Sequence, residues 1–163
     1  MAYLLDANVF IEAKNRHYGF DFCPAFWDWL IAENDAGRVF SVAAIADELH
    51  KGNDELDTWA AERGDTFFLP PDPAMLSALA RISTWVNSSR RYDPAAHTTF
   101  FDSGEYYLIA HALAHRHVVV THERPSDSRK KVKIPEVCIG LGIRFMNPFT
   151  MLRTEHARFV LPT

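Results

Sequence analysis

The sequence has few cysteines, no long apolar run and no excess of positive charge. Its two cysteines, Cys23 and Cys138, allow at most one disulfide and match no paired metal-ligand spacing, which argues against a disulfide scaffold or a zinc ribbon. No apolar segment approaches the roughly 20 residues that span a bilayer. Asp6 also lies where a signal peptide would be apolar. We therefore expect a cytoplasmic protein without a membrane partner.

The charge balance excludes one further class of protein. Seventeen Lys and Arg residues against 21 Asp and Glu residues give a formal net charge of -4 at pH 7. A protein that coats nucleic acid through bulk charge would be basic, so this class is a poor interpretation. A nuclease remains compatible with the balance, because metal-binding carboxylates are themselves negative.

The length and pattern of the chain predict a single α/β domain over residues 1–163. With 163 residues, 48% of them hydrophobic, folding should bury roughly 70% of the surface of the unfolded chain. Short apolar runs suited to buried strands alternate with longer segments of helical period, and no internal repeat or linker interrupts them. This alternation is typical of a central parallel sheet flanked by helices.

Local signals predict the following boundaries. Strands are expected at Tyr3–Leu5 and Val118–Thr121, and a helix begins at Pro24 and ends near Gly37. Ser41 is a candidate N-cap for a helix that reaches Gly52, and Asp54 for the helix after it. Residues 87–99 are predicted to form a long polar loop. A strong helix follows from Asp102 through Ala114.

The acidic residues occupy informative positions relative to these elements. Asp6 directly follows the first predicted strand, and Glu123 follows the strand that ends at Thr121. Ligand sites of open α/β sheets gather beyond the carboxyl ends of the strands. Glu48 and Glu105, on helices near the same edge, complete a set of four. Each close pair of such carboxylates costs about 4 kcal/mol at an effective dielectric near 20, so a cation is expected among them, and oxygen ligands suit Mg²⁺ or Mn²⁺.

Four segments in this order resemble the acidic motifs of PIN-domain nucleases. They are Tyr3-Leu-Leu-Asp6-Ala-Asn8-Val-Phe-Ile11, Asp47-Glu48-Leu49, Glu105-Tyr-Tyr-Leu-Ile-Ala110-His-Ala112 and Val119-Val-Thr121-His-Glu123. More narrowly, Trp27-Asp-Trp29-Leu30 and Lys133-Ile-Pro-Glu-Val-Cys138 resemble a PIN-like family of unassigned function, related to VapC-like ribonuclease toxins. The resemblance covers nearly the whole chain.

This resemblance implies a PIN-like three-layer sandwich and a metal-dependent endoribonuclease. Asp6, Glu48, Glu105 and Glu123 would then be both the catalytic acids and the ligands of one or two Mg²⁺ or Mn²⁺ ions. RNA would be the substrate, and a small antitoxin protein and a second copy of the chain are the implied partners. Glu105 and Glu123 stand where many PIN domains carry Asp, which moves each ligand outward by one methylene.

Three polar residues are candidates for supporting roles. Asn8 would hydrogen-bond Asp6 and orient it, or only form a turn. Thr121 would support a metal-bound water, or only end a strand. Asp102 has the spacing of a capping box with Glu105, which makes it a helix cap; its alternative role is to replace Glu105 as the third ligand.

Two further patterns remain. Five basic residues follow the fourth acidic motif and are predicted to contact the RNA backbone: Arg124, Arg129, Lys130, Lys131 and Lys133. His111 and His115 have the i, i+4 spacing of zinc ligands, and His117 follows. No metalloprotease glutamate and no third ligand in register accompany them, so we interpret these histidines as a partly exposed helix face.

Two other functions compete with the nuclease. An aspartyl-phosphate phosphatase would use Asp6 as its nucleophile, but the second acid that it needs two residues later is replaced by Asn8. A PIN-like RNA-binding or regulatory module without turnover would be consistent with the two Glu substitutions. Metal-dependent cleavage of RNA separates this module from the nuclease.

Overall fold

Five short parallel strands form one sheet in the computed structural model, which describes residues 1–163. The strands are β1 (Tyr3–Leu5), β2 (Val39–Val42), β3 (Phe68–Leu69), β4 (Val118–Val120) and β5 (Phe145–Met146). Their order across the sheet is β3-β2-β1-β4-β5, and every neighbouring pair is parallel. The residues of β1 and β4 are apolar and fully buried, as expected for strands covered on both faces.

Nine α-helices flank this sheet and complete a three-layer α/β fold, which confirms the predicted fold class. They are α1 (Ala7–Glu12), α2 (Pro24–Asp35), α3 (Ala43–His50), α4 (Glu55–Arg63), α5 (Met75–Ser88), α6 (Pro94–Phe101), α7 (Gly104–His115), α8 (Ile134–Leu141) and α9 (Pro148–Thr154). A π-helical turn at Ala13–His17 continues α1. None of the helices has the length and hydropathy needed to cross a membrane.

An aromatic cluster packs beneath the start of α1 and holds it against the sheet. Phe10 is fully buried, and its ring centroid lies 5.8 Å from Phe68 and 5.9 Å from Trp59. Trp59 in turn meets Trp27 edge-on at 5.0 Å. Burial of each such side chain contributes about 2–3 kcal/mol. This packing fixes the β1–α1 junction, where Asp6 is found.

The prediction that Ser41 caps a helix is wrong. Ser41 belongs to β2, its backbone N–H donates to the carbonyl of Phe67, and its hydroxyl donates to the carbonyl of Leu5 at 2.7 Å. Ser41 therefore lies inside the sheet with its hydroxyl bonded to β1, and Val42 is the N-cap residue of α3. The predictions at Pro24 and Asp54 are confirmed: α2 begins at Pro24, and Asp54 caps α4 by accepting from the N–H of Asp57.

The prediction of an irregular loop over residues 87–99 is also wrong in its second half. Pro94 begins the short helix α6, in which Ala96 and Phe100 form the buried face. A helix of eight residues makes only about two turns, so its buried face contains too few apolar residues for the helical period to be recognised in the sequence. The start of the next helix differs as well. Asp102 is the exposed C-cap residue of α6, and α7 begins at Gly104 without the predicted capping box.

Candidate metal centre

The carboxyl ends of β1 and β4 form a crevice at the centre of the sheet. β1 lies between β2 and β4 in the sheet. The connection after β1 leads to β2 on one side, and the connection after β4 leads to β5 on the other side, so the two connections diverge at this point. Crevices at such switch points are the usual ligand sites of open α/β sheets. The backbone N–H of Asp6 donates to the carbonyl of Val120 at 2.9 Å, which ties the two strand ends together.

Asp6 is buried at the base of this crevice, with 1% of its surface exposed. It is the N-cap of α1: its Oδ1 accepts from the N–H of Ala7 at 2.8 Å, and its Oδ2 accepts from the hydroxyl of Thr121 at 3.1 Å. The oxygen of Thr121 also accepts from the N–H of Glu123 at 3.1 Å. Thr121 therefore links the first and fourth acidic segments.

Glu105 and Glu123 complete a group of three converging carboxylates. One oxygen from each of Asp6, Glu105 and Glu123 lies within 4.8 Å of the others. Glu105 projects from the first turn of α7, and the Oε2 of Glu123 accepts from the N–H of Ile134 at 3.2 Å. We name these three residues the acidic triad.

The acidic triad holds its negative charges at an electrostatic cost. Burial, and then the charge of Glu123, raise the pKa of Asp6 to about 7. Burial, followed by the charges of Glu123 and Asp6, raises the pKa of Glu105 to about 8. Carboxyl groups with such pKa values ionise fully at neutral pH only when a cation compensates them.

Lys131 supplies part of that compensation. Its Nζ lies 3.0 Å from the Oε1 of Glu123 and 3.5 Å from the Oε1 of Glu105. Partial burial lowers the pKa of Lys131, but the two carboxylates outweigh it and raise the pKa overall. Sequence reasoning assigned Lys131 to the RNA backbone, whereas the structure has its ammonium on the acidic triad. No motif distinguishes it from its basic neighbours.

Glu48 lies outside the acidic triad and has a separate contact. Its Oε1 accepts from the N–H of Gly104 at 2.7 Å, so it fills the capping role that was predicted for Asp102. A Cβ atom at residue 104 would lie 2.9 Å from this oxygen and 3.0 Å from the carbonyl of Ala44. Only glycine lets α7 approach α3 this closely. Sequence reasoning did not single out Gly104, whose position directly before Glu105 was the only available signal.

Two of the predicted supporting residues lie apart from the acidic triad. Asn8 is exposed and does not form the expected hydrogen bond with Asp6, whose oxygens accept from Ala7 and Thr121 instead. Asp102 is exposed and its side chain makes no hydrogen bond, because the first turn of α7 is capped by Glu48.

The remaining basic residues lie in the segment between β4 and α8. Arg124, Arg129 and Lys130 are exposed, and Lys133 is partly buried as the N-cap residue of α8. A groove of about 420 Å³ begins at Glu123 and is lined by Arg124, Asn147 and Phe149, among others. Positive charge and an aromatic side chain therefore adjoin the acidic triad.

The fold and the acidic triad define an α/β protein with a candidate divalent-cation site. The chain belongs to the family described as Domain of unknown function (DUF4411), which it matches over residues 3–159. Its structure is similar to the crystal structure of VapBC2 from Rickettsia felis bound to a DNA fragment from their promoter. The TM-score is 0.55 at 13% identity, over 90% of this chain and 98% of that one. A search of curated proteins found no match. The structural likeness shows the fold alone.

Proposed function

We propose that this protein is a metal-dependent endoribonuclease that hydrolyses RNA phosphodiester bonds. The observation that carries the proposal is the acidic triad: three carboxylates from separate parts of the chain converge within 4.8 Å at the switch point of a parallel sheet. Such mutual repulsion is unfavourable unless the arrangement serves a cation. The fold shared with VapBC2 is consistent with this class, because the motifs of this chain resemble a PIN-like family related to VapC-like ribonuclease toxins.

The donor set fits Mg²⁺ or Mn²⁺, which prefer carboxylate oxygens and retain several waters. Asp6, Glu105 and Glu123 would hold the ion, with Glu48 at the margin of the site. When bound, the ion would supply Lewis-acid chemistry, which turns water into a nucleophile and neutralises charge on phosphate. Zinc in a closed structural site is a poorer fit, because the acidic triad offers neither nitrogen nor sulfur.

The chain's own residues position the charges for this chemistry. Thr121 and the N–H of Ala7 hold the two oxygens of Asp6, and the N–H of Ile134 holds Glu123. Ala7 and Ile134 begin the helices α1 and α8, and Thr121 directly follows β4. The carboxylates are therefore oriented before substrate arrives, as preorganised catalysis requires.

The basic segment and the adjoining groove support RNA as the substrate. Arg124, Arg129, Lys130 and Lys133 would contact phosphates, which carry no sequence information. Phe149 and His122 line the groove next to Glu123, with ring centroids 5.8 Å apart. Aromatic faces of this kind accept unpaired bases, which single-stranded RNA provides.

Cleavage of a mixed RNA pool tests the proposal. Wild type should cut RNA with Mn²⁺ and lose this activity in EDTA. Glu105→Gln or Glu123→Gln should each reduce the cleavage rate at least about 100-fold, because the ion loses a charged ligand. Asp28→Asn on the exposed surface of α2 is the matched control and should cut like wild type. Equal activity of wild type and Glu105→Gln would contradict the proposal.

One observation favours a second candidate, an RNA-binding or regulatory module without turnover. The ammonium of Lys131 already bridges Glu105 and Glu123, which is the position a cation would need. The RNA-binding module would be favoured if the folded protein binds RNA but does not cleave it with Mn²⁺, with Mg²⁺ or with the two ions together.

The proposed nuclease would act within a toxin–antitoxin pair, inhibited by a small protein partner. Co-expression tests this extension: the product of the adjacent gene should copurify with the chain and suppress its cleavage of RNA. Growth arrest on expression of wild type alone, relieved in Glu105→Gln, is the expected cellular result.

A further inference from the structure

A second group of potential metal ligands lies at the other end of α7. His111 and His115 project from its last two turns, and Asp72 lies in the segment between β3 and α5. One ligand atom from each of these three residues lies within 4.8 Å of the others. The Nε2 of His115 is 2.6 Å from the Oδ2 of Asp72, and the two imidazole rings are 4.6 Å apart.

The expectation of a partly exposed helix face is confirmed for these two histidines, although their exposure is unequal. His111 is only 5% exposed, whereas His115 is accessible at the surface. A third candidate ligand, Asp72, lies outside the register of α7, about 40 residues earlier in the chain. Its position is fixed, because the Oδ1 of Asp72 accepts from the N–H of Met75 at 3.2 Å.

His111 provides an independent sign that the group has a ligand. Its Nδ1 is buried and has no hydrogen-bond partner in the protein. Buried polar atoms are almost always satisfied, and each orphan calls for an explanation such as an ion or a water.

We propose that Asp72, His111 and His115 bind one divalent transition-metal ion of the zinc type. Two imidazoles and one carboxylate are the donors that Zn²⁺ prefers, in contrast to the all-oxygen acidic triad. His117 is not a ligand in this assignment, because its Nδ1 accepts from the backbone N–H of Ala2 at 3.1 Å. Water completes the coordination.

The bound ion would link α7 to the segment that follows β3. Tetrahedral ligands at 2.0–2.1 Å from zinc lie about 3.3 Å apart, so small side-chain rotations bring the three ligand atoms from their present spacing into range. Glu105 and His115 are ten residues apart on α7, which is about 15 Å along the helix. The ion is therefore a cross-link remote from the acidic triad and independent of the proposed nuclease.

Titration with ZnCl₂ in excess Mg²⁺ tests this site. Wild type should bind one equivalent of Zn²⁺ and melt at a higher temperature in its presence. His115→Ala and Asp72→Asn, both changes at partly exposed side chains, should each weaken Zn²⁺ binding at least about tenfold. Glu105→Gln should bind Zn²⁺ like wild type, which separates this site from the acidic triad.

His50→Ala is the matched control. His50 also pairs with an aspartate, Asp57, at 2.8 Å, but no third ligand accompanies this pair. Zn²⁺ binding by His50→Ala should therefore equal that of wild type. The assignment is overturned if wild type binds no Zn²⁺, if His115→Ala binds it as tightly as wild type, or if only Glu105→Gln loses it.

Discussion

At the scale of single residues, the buried carboxylate of Asp6 tests the acidic triad most directly. Asp6→Asn keeps the shape of the side chain and removes one of the converging charges. Because the pKa of Asp6 is raised to about 7, the metal-free variant should be at least as stable as wild type at pH 8. Urea unfolding in EDTA measures this, and the difference should shrink at pH 6, where Asp6 is protonated in wild type.

The same variant should lose its response to metal. Mn²⁺ at 100 times its dissociation constant stabilises wild type by about 2.7 kcal/mol, because the ion binds only the folded chain. Asp6→Asn should gain much less. Strong destabilisation of the metal-free variant, or a full response to Mn²⁺, would mean that Asp6 is only the helix cap of α1.

Lys131 offers a second prediction at this scale. Its ammonium must leave Glu123 and Glu105 before an ion can bind them, so Lys131→Gln should increase Mn²⁺ affinity. The Lys131 side chain is 48% exposed, which limits each ion pair to about 1 kcal/mol and the gain from losing both pairs to about 30-fold. Calorimetric titration measures it. Lys130→Gln is the control, since Lys130 is exposed and pairs with no acid. An equal increase in Mn²⁺ affinity for the two variants would mean that the loss of one positive charge, and not the contact of Lys131 with the acidic triad, causes the effect.

At the scale of elements, the contact between α3 and α7 depends on the absence of a side chain at Gly104. Gly104→Ala places a Cβ 2.9 Å from Glu48 and 3.0 Å from the carbonyl of Ala44. Overpacking of this kind costs about 1–3 kcal/mol and outweighs the gain of up to about 1 kcal/mol in helix propensity. We expect lower stability and weaker Mn²⁺ binding, because Glu105 moves with α7.

Thermal unfolding and Mn²⁺ titration of Gly104→Ala provide the measurement. Gly52→Ala is its control, since a Cβ at residue 52 meets no atom closer than 3.4 Å. Equal melting temperatures for the two variants would show that α3 and α7 separate at no cost.

The segment between β4 and α8 gives another prediction at this scale. Replacing Arg129, Lys130 and Lys133 together by Gln should weaken RNA binding evenly across sequences and flatten its salt dependence. Three phosphate contacts on a single strand change the slope of log K against log salt by about 2. Binding isotherms at several salt concentrations measure that slope.

A matched set of basic residues lies at the opposite edge of the sheet. Arg81, Arg116 and Arg144 line one groove there, on the segments that precede β4 and β5 and on α5. The triple Gln variant of this set removes the same charge and should keep the wild-type salt slope. If the variant with Gln at Arg129, Lys130 and Lys133 also keeps the wild-type salt slope, the segment between β4 and α8 does not contact RNA.

At the scale of the whole molecule, the raised pKa values predict how metal-free stability depends on pH. Asp6 and Glu105 titrate near 7 and 8 in the folded chain, against 3.8 and 4.5 as ordinary values. The folded state therefore binds more protons than the unfolded state in this range, so stability falls as pH rises toward 8. Between about pH 4.5 and 6.5 His117 opposes this trend, because burial lowers its pKa to about 4, but the two carboxyl groups outweigh the one imidazole and stability still falls as pH rises.

Melting temperatures in EDTA should thus fall continuously from about pH 5 to pH 8. The combined Asp6→Asn and Glu105→Gln variant should lose this fall and instead become less stable as pH drops from about 6.5 to about 5, because only the lowered pKa of His117 then remains. A wild type whose stability rises across pH 6.5–9 would contradict the charge repulsion on which the metal centre is argued.

The sequence by itself determined the two central strands of the sheet and placed Asp6 and Glu123 at their ends. Runs such as Tyr3–Leu5 and Val118–Val120 are strands because they are short, apolar and buried on both faces. Asp6 and Glu123 follow those strands, and the carboxyl ends of neighbouring parallel strands meet at one edge whatever the remaining packing. Their convergence therefore follows from local pattern.

Only the tertiary structure decided which partners the other charged side chains meet. Lys131 bonds to Glu105 across 26 residues, Glu48 to Gly104 across 56, and His115 to Asp72 across 43. No sequence period relates such positions, because their contacts depend on how α3, α7 and the segments after β3 and β4 pack in space. The acidic triad's internal counter-ion and the second group of potential metal ligands exist for that reason alone.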